Sequence, residues 1–504
     1  MHGGTEPKQS RRLVDDILRR VHELPEAVRE LIVGGAEGNP FYLEELIKML
    51  IDARVILPGE EQWLVDPSRL ATVHIPPTLT EVLQARLDTL TIPERQVLQH
   101  AAVIGRIFWD KAILAMSETL TAHDVQEALT GLLRKELIFE RRPSVFQHTR
   151  EYTFKHTLLQ EVAYETLLKR NRQAYHLQAA QWLNQVSGER RMEYLPQIAE
   201  HFEKGGEPAR AASAFSEAAD RALNLSALAE ARSFFQHALT LLNQPAQSIQ
   251  QAVAMEIGLA ETCIQLGEYQ QGRKHAENAA AIAGEMQIDI LVAEALNQLG
   301  QLALLVGNLQ DARSYLVGAL YLARKENVLP SVARILIALG NVEWRLGSLD
   351  TAREFCQEAL QIATQIDDTN LRIQAFNRLG VVYGALNLTT EETNCYEASL
   401  ALATESGNRE RAATALNNLG AQAGEQNLWH QARDYYQRAL EVSRETGAQH
   451  AIALHLINLG LAEINLQQFT AAQNHLGEGT RLARQLGAWP LTVAALIYFS
   501  LLSQ

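Results

Sequence analysis

Leucine–glycine pairs recur along the second half of the chain at Leu299-Gly300, Leu339-Gly340, Leu379-Gly380, Leu419-Gly420 and Leu459-Gly460, at a constant period of 40. A turn residue follows seven places after each glycine: Gly307, Gly347, Asn387, Asn427 and Gln467. Twelve places after it stand Ala312, Ala352, Ala432 and Ala472, with Glu392 as the exception, and nineteen after it Ala319, Ala359, Ser399, Ala439 and Gly479. Each unit therefore predicts two antiparallel helices that approach closely at small residues, with Leu, Tyr and Phe filling the space between them. A degenerate copy begins at Ala260, with Gly267 and Gly272, and Arg210–Leu242 predicts one more irregular helix pair. In the same register Phe499-Ser500 stands where Leu-Gly is due, so the chain ends on a first helix, which either caps the array or lacks its partner.

The first 200 residues read differently. Eleven of the 14 prolines precede residue 210. Helices are predicted over Ser10–Val21 and Glu26–Glu37, a break at Gly38-Asn39-Pro40, a helix over Phe41–Ala53, and a hairpin over Arg54–Val65 around Pro58-Gly59. Pro76-Pro77-Thr78 predicts a helix start with Glu81 at capping-box spacing. Helices follow at Pro93–Ile104, Asp110–Met116 and Ala122–Glu136, then two strands, Leu137–Arg141 and Glu151–Phe154, around a basic turn. That order predicts helices followed by a two-stranded wing. His156–Lys169 and Arg172–Val186 continue as helices.

The offsets of 7, 12 and 19 are those of the tetratricopeptide repeat (TPR), lengthened from its usual ~34 residues. Ala412–Glu445 resembles the long TPRs of kinesin light chains and bacterial regulators. One such pair cannot bury its apolar face alone, so neighbours stack. The expected fold is mainly α: a winged-helix-like N-terminal module, then a TPR α-solenoid, a right-handed superhelix of antiparallel helix pairs.

Composition narrows the function. Hydrophobic residues at 47% and charged ones at 21% exclude bulk disorder. The net charge of −14 argues against binding nucleic acid through the whole surface. The cysteines Cys263, Cys356 and Cys395 form no CxxC pair, so neither a metal site nor a disulfide framework is indicated. The N-terminus has no apolar run, and Leu491–Leu502 is shorter than the roughly 20 residues that span a bilayer. A cytoplasmic protein without a membrane partner is expected.

Four segments, Gly34–Leu46, Ile75–Leu90, Arg95–Trp109 and Tyr152–Arg172, resemble in order and spacing the motifs of the signal-transduction ATPases of the STAND class, in particular bacterial ones with a TPR sensor fused to a cyclase, kinase or DNA-binding module. The resemblance implies ATP or ADP as the cofactor of the full-length family. This chain contains no GxxxxGK[ST], and the 37 residues before Gly38 leave no room for an α/β nucleotide core. It therefore resembles the C-terminal portion of such an ATPase. Residues 1–72 would be a helical lid remnant with a short hairpin, 73–170 a winged-helix-like domain, 171–248 an irregular helical linker, and 249–504 the TPR array with an incomplete last repeat. No catalysis is expected of it alone, and no cofactor in this chain. An upstream nucleotide-binding domain would be a further partner.

The resemblance also implies site residues. Gly38 and Pro40 match a GxP motif whose proline packs near adenine, and His156 sits where a winged-helix histidine of the family faces the β-phosphate of ADP; the residues alone read first as a helix stop and restart and as a capping or partly buried histidine. Between Arg134 and Arg172 stand nine Lys/Arg and five Glu, a local net of +4. That run reads as a DNA-binding wing or as a face that docks internally, and the family favours docking. In the array, positions −3, −2, +1, +4 and +5 from the repeat glycine are expected to line a groove: Asn297, Gln298, Gln301, Asn341, Trp344, Arg345, Asn377, Arg378, Asn417, Asn418, Glu425 and Asn458. Their amides suit an extended peptide backbone, the arginines its acidic groups and Trp344 an apolar side chain. The expected function is a TPR sensor arm coupled to a winged-helix switch that binds a protein, peptide or inducer. The alternatives are a stand-alone TPR adaptor and a winged-helix transcription regulator.

Overall fold

The computed structural model describes residues 7–21, 24–36, 39–59, 62–66, 68–69, 78–225, 227–242 and 249–502. Gly38 and the Pro76-Pro77 pair lie outside them. The chain forms two compact units. One holds the residues up to Arg221 together with His237–Asn243, and the other Ala222–Gln236 and everything from Gln244 on.

In the N-terminal unit α1 (Pro7–Ile17), α2 (Glu26–Ala36) and α3 (Pro40–Asp52) share a core of Val14, Val28, Ile32, Leu43, Leu46 and Leu50. β1 (Ile56–Leu57) and β2 (Leu64–Val65) make the expected hairpin, Ile56 opposite Val65. α4 (Leu79–Asp88) starts at Thr78, whose hydroxyl accepts from the Glu81 N–H at 3.3 Å; the reciprocal bond is not made. α5 (Ile92–Ile104) has both halves of a capping box, Thr91 with Glu94.

The wing differs from expectation. Between α5 and α6 (Asp110–Met116) lies a third strand, β3 (Ile107–Trp109). After α7 (Ala122–Arg134) come β4 (Ile138–Arg141) and β5 (Glu151–Phe154), and the sheet order is β3-β5-β4, all antiparallel. A strand of three residues is too short to show a period-two pattern, so only the pairing partner reveals β3. Phe108 packs on Tyr152 and Phe154, and Trp109 on Phe146 and Trp182, which fixes the sheet to the helices. α8 (Thr157–Glu165), α9 (Lys169–Val186) and α10 (Arg191–Lys204) follow, then α11 (Pro208–Asn224) and α12 (Leu228–Leu241).

The second unit is built of helix pairs: α13 (Ile249–Leu266) with α14 (Tyr269–Glu285), α15 (Asp289–Leu305) with α16 (Leu309–Lys325), α17 (Leu329–Arg345) with α18 (Leu349–Gln365), α19 (Thr369–Ala385) with α20 (Thr389–Glu405), α21 (Arg409–Glu425) with α22 (Trp429–Thr446), and α23 (Gln449–Asn465) with α24 (Phe469–Gln485). α25 (Trp489–Leu502) is a first helix with an exposed apolar stripe, Val493, Leu496 and Ile497. Each first helix packs against the first helices on either side, as in α13 with α15 and α15 with α17. The first helices therefore form the inner side of the α-solenoid.

Every junction from Gly267 to Gly487 places one residue in the left-handed region, and these recur evenly, two to a repeat. At each, the N–H of the next residue reaches back five places to a carbonyl, as Leu388 does to Tyr383 and Asn408 to Ala403. This is the Schellman ending, which satisfies carbonyls left open by the helix. The second set of turns, Gln287, Asn327, Asp367, Gly407, Gly447 and Gly487, repeats as regularly as the first.

The repeat glycine faces position +16 of its own pair. Gly300 meets Leu316, Gly340 meets Cys356, Gly380 meets Tyr396, Gly420 meets Tyr436 and Gly460 meets Leu476, while the degenerate repeat opposes Ala260 to Ala276. Burial pushes the Cys356 thiol up to about 12 and the Cys395 thiol up to about 11, so both behave as apolar filling. A methyl group on Gly420 would lie 2.6 Å from the Tyr436 ring, whereas one on Gly477 meets open space. Overpacking costs about 1–3 kcal/mol, against a helix-propensity gain of about 1 kcal/mol for replacing glycine. Gly420→Ala is thus expected to destabilise the array and Gly477→Ala to stabilise it. Urea titrations of the two variants check the opposite signs.

Candidate functional site

Two places in the structure gather polar and charged side chains. The first is in the N-terminal unit. Asn39 caps α3, its side chain accepting from the N–H groups of Phe41 at 3.0 Å and Tyr42 at 3.4 Å, and Pro40 takes the first helical position, where its missing N–H costs nothing. The cap aims Phe41 at His156, with ring centroids 3.5 Å apart. His156 is itself the N-cap residue of α8 but makes no capping hydrogen bond, and its buried Nε2 has no partner. Burial and the neighbouring Lys155 hold its pKa below the usual histidine range. The structure so brings Pro40 and His156 to one place, through Phe41.

Around them runs an ionic network. Glu44 receives Lys155 at 2.5 Å and Lys48 at 2.9 Å, and Lys48 also reaches Glu136 at 2.6 Å. Burial works to raise the Glu44 carboxyl, but hydrogen bonds from the two lysines outweigh it and hold the group at about 2. Beneath lies the buried pair Glu45–Arg86, with Arg86 also donating to the Lys135 carbonyl at 2.9 Å. Lys48, Arg86 and Glu136 line a cleft of about 800 Å³ with Ile17, Asp52 and Trp63.

The basic run is largely spent inside the unit. Lys135 pairs with Glu94, Arg141 with Glu151, Arg142 with Glu140, Lys155 with Glu44 and Arg172 with Glu165, and Arg150 bonds Gln126.

The second place is the inner side of the array. Asn458 donates to Asn417 at 2.8 Å and Asn418 to Asn377 at 3.5 Å, so position −2 of one repeat reaches position −3 of the one before. Arg378, whose −3 counterpart is the apolar Ile337, turns to Asn341 at 3.1 Å instead. Burial and the nearby Arg345 charge lower the Arg378 pKa. Arg345 is exposed and donates to the Leu304 carbonyl at 3.3 Å; Trp344 and Gln301 are half-buried and Glu425 is exposed. Asn297 and Gln298 are buried, and their side-chain oxygens have no partner.

Sequence reasoning missed Glu261, Glu294 and Arg334 on this same side. Glu261 holds the +1 place that Gln301 and Asn341 hold, in the repeat read as degenerate. Glu294 and Arg334 share position −6, one and a half turns before the glycine, a place not counted as inward. Glu45 and Arg86 are distant in sequence, in a region without repeats, and carry no sequence signal of their pairing.

Among the described residues no helix is long and apolar enough to cross a membrane. The tetratricopeptide repeat family model matches residues 331–405 and 411–485. The uncharacterized protein R02095 of Rhizobium meliloti (strain 1021) is 36% identical over 214 residues, 42% of this chain; the match takes up 20% of that protein, so the chain spans about a fifth of the curated relative's length. Among solved structures, a STAND protein with a tetratricopeptide repeat sensor, PH0952 from Pyrococcus horikoshii, superposes with a TM-score of 0.63 at 14% identity, covering 99% of this chain and 69% of that one. The chain carries tetratricopeptide repeats in an α-solenoid and is similar in fold to a TPR-sensor STAND protein.

Proposed function

We propose that the chain is a regulatory recognition protein whose array takes an extended protein or peptide segment along its inner side. One observation carries this reading: a ladder of asparagine side chains, Asn377, Asn417, Asn418 and Asn458, runs along the first helices. Each rung fixes an amide in orientation and still leaves donor and acceptor capacity. Such pre-ordered amides match the alternating N–H and C=O groups of an extended backbone, and pre-ordering lowers the entropy lost on binding.

In this reading the N-terminal unit is the coupling part, a winged-helix-like switch, and the chain corresponds to the C-terminal portion of a STAND-class ATPase. The nucleotide-facing role of Pro40 and His156 belongs to that longer protein; Gly38 lies outside the described residues. The internal ion pairs of the basic run support docking rather than DNA binding.

The test is a fluorescent library of random hexapeptides screened against the purified chain. Asn417→Ala removes an amide that can make one or two backbone hydrogen bonds, about 1–1.5 kcal/mol each, so roughly tenfold weaker binding of the selected peptides is expected. Selected peptides that bind Asn417→Ala and Asn377→Ala as tightly as the parent would place recognition elsewhere and sink the proposal.

A further inference from the structure

The asparagine ladder is broken at its N-terminal end, and the break has a composition of its own. By register, Gln298 at −2 is due to reach position 257, and Asn297 at −3 is due to receive position 338. Those places hold Ile257 and Ala338, which have no polar atom to offer. Ala338 offers no donor to the Asn297 oxygen, which has no partner; the Gln298 oxygen, which the ladder does not use, has none either, and the two residues are only 4% and 7% exposed. One turn earlier on the same helix stands Glu294, whose spacings of three and four residues put it on the face that carries Asn297 and Gln298. On the neighbouring first helix, α13, stands Glu261. Among the described residues neither glutamate makes a hydrogen bond or an ion pair, and burial pushes both carboxyls above their usual range, with the charge of Arg334 on α17 pulling them back. Arg334 is exposed and bonds to neither.

The place thus presents four acceptor side chains that lack a donor, two of them carboxylates, with one guanidinium at electrostatic range. A buried acceptor without a donor is costly, and Glu261 and Glu294 add two half-buried carboxylates with no cation bonded to them. Nothing in the packing of α13, α15 and α17 requires these side chains, since other repeats fill the same positions with Val381, Ala421 and Leu461 at +1 and with Gln374, Thr414 and Leu454 at −6.

We infer that Glu261, Glu294, Asn297 and Gln298 form a subsite for an organic cation, a guanidinium or a primary ammonium, at the N-terminal end of the groove. A guanidinium offers five N–H donors in a plane and so meets several acceptors at once, and its weaker hydration than an ammonium makes it the easier cation to bury. The inference rests on the groove reading proposed above and adds a polarity to it. Cationic chemistry is taken at α13 and α15, and acidic chemistry near Arg345 and Arg378 on α17 and α19. A dipolar segment, with Lys, Arg or an amino terminus at one end and a carboxylate further along, would satisfy both.

Two measurements on the full chain test this. The first titrates argininamide and its isostere citrullinamide, both acetylated at the α-amino group so that the guanidinium is the only cation of the first and the second is uncharged, by ligand-detected NMR. Argininamide is expected to give a saturable signal that the Glu261→Gln, Glu294→Gln double variant weakens at least tenfold, and citrullinamide none. A signal that is equal for the two probes, unchanged in the double variant, or absent with argininamide overturns the subsite. The second reads the sequences that the hexapeptide library yields. Enrichment of Lys or Arg that disappears in the double variant places the cation in a peptide. Argininamide binding without any captured peptide leaves the subsite standing for a free cation and overturns the peptide reading instead. Peptides captured without cation preference, together with a silent argininamide titration, do the reverse. The double variant is expected to fold with an unchanged or higher Tm, because glutamine carries no desolvated charge, so lost binding cannot be ascribed to unfolding.

Discussion

Replacing Glu45 by alanine is expected to lower the stability of the N-terminal unit by about 3–5 kcal/mol, the usual cost of leaving one partner of a buried ion pair alone. Arg86 is 7% exposed and Glu45 1%. With Glu45 gone, the guanidinium keeps only the Lys135 carbonyl as a hydrogen-bond acceptor among the described residues. A unit of this size is held by roughly 5–15 kcal/mol in total, so the loss is a large share of it. Urea unfolding followed by near-ultraviolet circular dichroism, to which Trp109 and Trp182 in the aromatic core contribute, reads the effect. The control is the double variant Glu45→Met, Arg86→Leu. Removing both charges avoids the orphaned cation and is expected to cost far less than the single change. A single variant with a loss below about 1 kcal/mol would mean that water reaches Arg86, since exposed pairs are worth no more than that.

Acid should act on the same unit. His100, His176 and His201 are buried there, and burial pushes them down to about 4, about 3 and about 4. The last two share a defined proton arrangement. The Ile104 carbonyl can only accept, so His201 Nε2 donates to it at 3.2 Å. His201 Nδ1 must then accept from His176 Nδ1 at 2.9 Å, and His176 Nε2 is left to accept from the Tyr164 hydroxyl at 2.9 Å. Both rings are neutral in this chain of bonds. An unfolded histidine takes a proton near pH 6.5, whereas these take one only near 3 to 4. Their contribution is therefore complete above pH 6.5 and is lost as the pH falls toward 4. At pH 5 the loss is about 2 kcal/mol for each independent ring, at about 1.36 kcal/mol per pH unit. The array has one such ring, His455, pushed down to about 4 beside Ser443. Between pH 7 and pH 5 the N-terminal unit should thus lose more stability than the array and unfold first. Urea midpoints measured across that range check it, and a flat profile would show that the rings are hydrated in the folded state.

The array was legible because one periodic pattern encodes both helices and their close approach. Gly300, Gly340, Gly380, Gly420 and Gly460 could be aligned by eye, and the turn residues followed at a fixed offset. The second set of turns was equally periodic, yet Gln287, Asn327 and Asp367 adopt the left-handed region less openly than glycine announces it. The groove was legible as a list of positions. Which of its amides pair, and which are left open, depended on residues one repeat away at Ile257, Ile337 and Ala338. In the N-terminal unit the helices were visible from apolar spacing, from the cap at Thr78 and from the break at Gly38-Asn39-Pro40. β3 was not, being three residues long and defined only by its pairing with β5. The network of Glu44, Glu45, Lys48, Arg86, Glu136 and Lys155 was invisible for the same reason. Charges on a helix surface look alike in sequence whether they face water or one another, and only the fold brings residues 44, 86, 136 and 155 together.

The junctions of the array have a consequence for its history. From Gly267 to Gly487 every connection closes with the same hydrogen bonds at the same interval. Excising or duplicating one full repeat between any two equivalent points therefore rejoins helix to helix through a turn of the kind already present. Recombination within the gene can lengthen or shorten the array without having to invent a new connection. The length of the recognition surface, and the number of interrupted rungs along it, become quantities that selection can adjust by copy number, separately from the residues that any single repeat presents.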